Sequence, residues 1–272
     1  MSGKNWRYLP YAVSSGSENM AIDEALLLTM AQSVDPQPVL RFYGWSPATL
    51  SLGYAQSFHK EVNETACLAE GIDIIRRPTG GRAVLHQYEL TYSVIAPERD
   101  PHVSGTVIES YLKISQALLT GLKAVGVPAE MVACGGLNVA SSSACFDAPS
   151  WYELVVDGRK LVGSAQVRKE GMLLQHGSLL LHFDPELLFR LLKFPNEATR
   201  QKLLTGFMAK ACALDQVWTH PIEREELAQA LCSGFCDIMG IELIQSHLTA
   251  QEKALMEEVL VKYRSEAWTK RR

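Results

Sequence analysis

Asp157-Gly158 lies between two runs rich in strand-forming residues, 151–156 and 159–167, and constrains the fold of this chain more sharply than any other feature. Both positions tolerate positive φ, so the dipeptide suits a two-residue β-hairpin turn. A third run, 172–183, extends the hairpin into a meander.

Upstream, Ser17 is read as an N-cap followed by Glu18 and an apolar run through Ile22, Ala25, Leu26 and Leu28, which predicts a helix. Short β-branched and aromatic runs follow at 39–43, 49–54, 72–75 and 90–95, separated by Gly, Pro and polar residues. Residues 106–125 carry an apolar stripe of helical period through Ile108, Tyr111, Leu112, Ile114, Leu118, Leu119 and Leu122, stopped by Gly126 and Pro128. Residues 134–143 are small and polar and read as a loop that delivers Cys145. Beyond the meander the chain reads as helical at 185–192, 197–204 and 222–239, with Gly240 as a stop. Thr249 and Glu252 have capping-box spacing and open a last helix. This order predicts an α/β or α+β domain, a mixed sheet flanked by helices, with a small helical tail.

The charge balance, 26 Lys and Arg against 30 Asp and Glu, leaves a net −4 and no global field for a nucleic acid backbone. No stretch approaches the roughly 20 apolar residues that span a bilayer, and residues 1–7 lack a signal-peptide apolar region. Neither nucleic acid nor membrane is expected as a partner, and the expected location is cytoplasmic. Cys67, Cys134, Cys145, Cys212, Cys232 and Cys236 are spread too widely for a secreted disulfide framework and read as free thiols.

Three segments carry candidate chemistry. In Arg76-Arg77-Pro78-Thr79-Gly80-Gly81-Arg82-Ala83-Val84-Leu85-His86, adjacent glycines allow close backbone approach to a ligand, and the arginines suit a phosphate or an acidic carrier. A Gly-Gly pair is also an ordinary turn, and His86 an ordinary structural histidine. The nucleotide-loop endings and spacings are missing. Cys145, at a loop-to-strand junction, is either a buried apolar thiol or, beside a cation, a thiolate nucleophile. Lys160, fifteen positions later on the second arm of the hairpin, supplies that cation if the two side chains meet. Cys232 and Cys236, four apart with no further ligand cluster, read as buried helix cysteines, and no metal site is expected.

The first and third segments resemble the substrate-binding loop and the lysine signature, Gly158-Arg159-Lys160-Leu161-Val162-Gly163-Ser164-Ala165-Gln166, of the lipoate and biotin protein ligase superfamily. Asn19-Met20-Ala21-Ile22-Asp23-Glu24, Arg41-Phe42-Tyr43-Gly44-Trp45 and Gly53-Tyr54 support the resemblance, which thins after Gly240. The ATP-dependent ligases typically carry a third glycine where this chain has Arg82, and an Asn-Asp pair where it has Cys145 to Leu154. The chain is instead similar to the cysteine-dependent octanoyltransferases.

That resemblance implies a ligase-type catalytic domain over residues 1–243, with its core at about 34–243, and a tail at 244–272. It implies Cys145 and Lys160 as catalytic residues, and Arg77, Gly80, Gly81, His86, Gly163, Ser164, Ala165 and His176 as substrate-binding residues. It implies octanoyl-acyl carrier protein as donor, a lipoyl-domain protein such as the glycine cleavage H protein as acceptor, and no cofactor. An amidotransferase moving octanoyl between lipoyl domains, an ATP-dependent lipoate ligase and a non-catalytic acyl-binding protein are the alternatives. An apolar tunnel is expected for the acyl chain, worth about 0.8 kcal/mol per methylene, with the Gly80-Gly81 loop as its wall.

Overall fold

The computed structural model of the chain describes residues 5–133 and 152–272. The chain opens with β1 (Asn5–Ser14), forms α1 (Gly16–Gln32) and continues through β2 (Val39–Trp45) and β3 (Thr49–Leu52). Short helices α2 (Phe58–Glu61) and α3 (Glu64–Ala69) lead to β4 (Asp73–Arg76), β5 (Val84–His86) and β6 (Glu89–Pro97). After α4 (Val107–Ala124) and β7 (Glu130–Ala133), the meander follows as β8 (Tyr152–Val156), β9 (Arg159–Lys169) and β10 (Met172–Leu180). The remainder comprises α5 (Pro185–Arg190), α6 (Glu197–Lys210), α7 (Leu214–Val217), α8 (Arg224–Met239), β11 (Glu242–Gln245), α9 (Ala250–Arg264) and α10 (Glu266–Thr269).

An eight-stranded sheet has the order β11-β1-β2-β6-β10-β9-β8-β7, and a three-stranded sheet has the order β4-β3-β5. β1 runs parallel to both neighbours, and the other pairs of the large sheet are antiparallel. The sheet is mixed, as the strand and helix order predicts. At the hairpin, Asp157 and Gly158 both take positive φ, 50° and 72°, and bring Val156 opposite Arg159.

The period-two alternation of β6 assigns the two faces of the large sheet. Leu90, Tyr92, Val94 and Ala96 join the core under α4 and α8, whereas Ile95 packs with Leu26, Leu27 and Met30 of α1 on the other side. α4 and α8 approach closely because both carry glycine at the crossing: a Cβ on Gly121 would lie 2.6 Å from Leu231 Cα, and one on Gly234 would lie 2.3 Å from Ala117 O. α1 is covered in turn by α9, whose Lys262 and Tyr263 donate to Glu24.

Two local expectations change. The N-cap of α1 is Ser15, not Ser17: its Oγ accepts from Glu18 N while the Glu18 carboxylate accepts from Ser15 N, a complete capping box. The first strand was missed because it contains Pro10 and no clean alternation. The proline is tolerated because pairing with β2 shifts register between Leu9 and Ala12. The boundary expected at residue 243 falls inside β11, which pairs with β1. No helix among the described residues is long and apolar enough to cross a membrane.

Candidate active site

Lys160 reaches the α1 face of the large sheet through an irregularity in β9. Val155 pairs with Lys160, but the preceding residue, Leu154, pairs with Val162, so Leu161 is an extra residue in the ladder. Leu154, Val156, Leu161 and Val162 all enter the core under α4 and α8. Val155 and its partner Lys160 therefore share the opposite face. In a regular strand Lys160 would face the same way as Val162 and Ser164, into that apolar core. On the α1 face its ammonium donates to Glu153 Oε1 at 2.8 Å, and only 4% of the residue is exposed.

Further along this face, a cavity of about 360 Å³, mouth included, is bordered by Gly163, Ser164, Ala165, His176, Gly177 and Ser178 from the meander and by Arg77, Val84, His86, Trp45 and Met20 above it. Six of the eight expected substrate-binding residues converge here: Arg77, His86, Gly163, Ser164, Ala165 and His176. Ser164 borders the cavity but turns its side chain to the other face, where Oγ accepts from Tyr92 Oη at 2.8 Å.

Arg77 builds the roof. Its guanidinium donates to Ser51 O and Oγ at 3.1 Å each, to Gly80 O at 2.8 Å and to Arg82 O at 2.7 Å, drawing the glycine loop over the cavity. Gly81 needs its glycine: φ is +91°, and a Cβ there would lie 2.9 Å from the Arg77 guanidinium. Gly80 borders a neighbouring cavity, so it is Thr79, at the same loop, that contacts the first cavity's wall through His176.

The arginine cluster does not form a solvent-facing anion site as expected. Arg76 is fully buried and donates to the carbonyls of Gly53, Tyr54, Gln56 and Thr269. Arg77 is buried on its own loop, and only Arg82 is substantially exposed, near Glu61 at 3.8 Å. A guanidinium has five donors, and in a buried loop the carbonyls of the turn take them.

Both histidines are fixed by partners that sequence reading missed. His86 stacks on Trp45 with centroids 3.8 Å apart, Nε2 meets Ser51 Oγ at 2.8 Å and Nδ1 meets Glu89 Oε1 at 3.1 Å. His176 Nε2 meets Thr79 Oγ1 at 2.6 Å, and Nδ1 lies 3.6 Å from Asp23 Oδ2, within ion-pair range but too long for a hydrogen bond. Burial pushes the His176 ring below its ordinary pKa despite the opposing Asp23 carboxylate, so the ring is neutral at physiological pH. Burial alone would raise Asp23, but the Arg41 guanidinium, which donates to it at 2.9 Å, and the facing His176 ring outweigh it and hold the carboxyl below the usual range. Asp23 also accepts from Tyr43 and Ser93. Its signal in the sequence was its place in Asn19-Met20-Ala21-Ile22-Asp23-Glu24.

Cys145 and Cys134 lie outside the described residues, as does the 134–143 segment. The four described cysteines make poor nucleophiles. Burial pushes Cys67 and Cys212 up to about 11 and Cys232 up to about 12, and raises Cys236 as well. Cys232 and Cys236 are on α8 as expected, but both are only partly buried.

A two-sheet domain with a buried lysine on the same sheet face as a cavity roofed by a glycine loop has clear relatives. Residues 15–236 match the lipoyl protein ligase A/B catalytic domain, and the chain belongs to that family. It is an acyltransferase of the family: an octanoyltransferase LipM of Moorella thermoacetica is 45% identical over 274 residues, covering all of both chains. The octanoyltransferase LipM of Bacillus subtilis is 42% identical over 279 residues, again at full length. Among solved structures, a bipartite archaeal lipoate protein ligase from Thermoplasma acidophilum superposes with a TM-score of 0.80 at 26% identity, covering 98% of this chain and 96% of that one. A lipoate-protein ligase A bound with ATP superposes with a TM-score of 0.77 at 25% identity, covering 99% of each.

Proposed function

We propose that the chain is a cytoplasmic protein N-octanoyltransferase that takes octanoyl from acyl carrier protein and passes it to a lysine of a lipoyl-domain protein, the glycine cleavage H protein being the expected acceptor. The observation that carries this reading is Lys160, turned by a bulge from the apolar core onto the sheet face that also carries Gly163, Ala165 and His176 of the cavity. The full-length octanoyltransferase relatives support the choice of acyl group.

In the proposed reaction the Cys145 thiolate attacks the thioester carbonyl of the donor. The carbonyl–sulfur bond to the carrier breaks, the carrier thiolate leaves and takes a proton, and an enzyme thioester remains. The acceptor lysine, as the free amine, then attacks that thioester. An amide forms, the Cys145 thiolate departs, and the ammonium proton is lost to base. Thioester exchange is nearly neutral and amide formation is downhill, so no nucleotide is consumed. Lys160 favours the Cys145 thiolate and stabilises the developing oxyanion, while Glu153 orients the ammonium. The kinetics are then ping-pong.

The test is intact mass after incubation with octanoyl carrier protein in the absence of ATP, before and after adding a lipoyl-domain acceptor. The expected result is a hydroxylamine-sensitive octanoyl adduct that the acceptor discharges and that Cys145→Ala lacks. No adduct without ATP, with transfer restored by ATP and free octanoate, would move the chain to the ligases.

A further inference from the structure

We infer that the Thr79–His176 hydrogen bond is the end wall of the acyl cavity and sets the longest chain the enzyme transfers, an inference that rests on the acyl-transfer reading above. Along the ligand face of β9 and β10, the paired positions after Lys160 are Gly163 with Ser178, Ala165 with His176, and Val167 with Leu174. The first two pairs border the cavity under the glycine loop. The third borders a second, open cavity of about 1,050 Å³, mouth included, which takes in Leu27 and Trp268 as well as the charged Glu24, Arg168, Lys169 and Lys262. Two residues of strand, roughly 7 Å, separate one lining from the next.

Thr79 stands at that division. Its neighbours Pro78 and Gly80 border the second cavity, while its hydroxyl contacts His176, which borders the first. Thr79 is fully buried, and the contact to His176 Nε2 is 2.6 Å. The loop that carries it is held on both sides: Tyr54 N donates to Thr79 O at 2.8 Å, and the Arg77 guanidinium holds the Gly80 carbonyl. Thr79 Oγ1 and His176 Nε2 share a hydrogen bond in either tautomer of the ring, whose Nδ1 faces Asp23. The wall is therefore a tied hydrogen bond between a sheet residue and a clamped loop, and an acyl chain lying against Gly163 and Ala165 ends on it.

Beyond the wall lies space that the chain does not reach. A methylene that packs against the apolar wall of that space, Leu27, Val167 and Leu174, is worth up to roughly fourfold in affinity, so removing the Thr79 contact should reward chain length that the native enzyme rejects.

The experiment measures kcat/KM for octanoyl and dodecanoyl carrier protein with the full-length enzyme, its Thr79→Gly and Thr79→Ala variants, and Thr79→Gly combined with Val167→Phe. The expected result is a dodecanoyl-to-octanoyl ratio raised at least tenfold in Thr79→Gly, raised less in Thr79→Ala, and returned toward the native ratio when Val167→Phe refills the second cavity. Thr79→Ser, which keeps the hydroxyl, should keep the native ratio. An unchanged ratio in folded Thr79→Gly or Thr79→Ala overturns the inference, as does a native enzyme that transfers dodecanoyl as well as octanoyl. A native enzyme that transfers neither chain overturns the acyl-transfer reading instead.

Discussion

The hydroxyl of Ser178 is buried on the ligand face and, among the described residues, has no hydrogen-bond partner. Leaving a buried hydroxyl unpaired costs about 1–3 kcal/mol, so replacing it with alanine should hold or raise stability. The same residue lies between Lys160 and His176 along the face, where the carbonyl of a bound acyl group would take the free donor. Ser178→Ala is therefore expected to lower kcat/KM about tenfold with no loss of urea midpoint, which equates to one hydrogen bond of about 1.4 kcal/mol. His176 gives a prediction of pH dependence. Its folded pKa lies below the ordinary value of 6.5, so the unfolded chain takes up a proton before the folded one does. Its contribution to stability is complete above that value and is lost as pH falls below it. The urea midpoint should drop between about pH 7 and about pH 5.5, and His176→Gln should drop less over the same interval.

The β8–β9 hairpin shows what was legible at the level of elements. Asp157-Gly158 announced the turn, and the structure has both residues at positive φ. Gly158 has open space around a built Cβ, so Gly158→Val carries backbone strain without a clash. The expected cost is about 1–2 kcal/mol, read as a lower melting temperature. The bulge at Leu161 was not legible, because Leu161 and Val162 are simply two adjacent apolar residues in a strand; only the core under α4 and α8, which takes both, shows that the alternation breaks there. α4 was legible from its apolar period and α9 from the capping-box spacing of Thr249 and Glu252; the structure adds a capping box at Thr106 of α4. β7 and β11 were not, since four-residue strands with exposed and half-buried positions have no pattern of their own.

For the whole molecule, residues 244–272 tie into the substrate-loop region. Trp268 Nε1 donates to Arg76 O at 2.8 Å, Arg76 donates to Thr269 O at 2.8 and 3.1 Å, and Phe58 N donates to Arg272 O at 2.7 Å. A chain ending at Arg264 strips a fully buried guanidinium of part of its acceptors and should lose about 3 kcal/mol, measured by urea denaturation. By itself, the sequence determined the fold class, the hairpin and the loop at Gly80-Gly81, and through its family resemblance six of the fourteen residues around the cavity. Those properties are local: turn conformations, period and short motifs are encoded within a few neighbouring positions. Only the tertiary structure decided which way Lys160 faces, that Arg76 and Arg77 hold carbonyls instead of anions, and that Thr79 meets His176 across 97 positions of chain. Those depend on which distant groups fill the hydrogen-bonding capacity of a buried polar atom, and no local pattern carries that information.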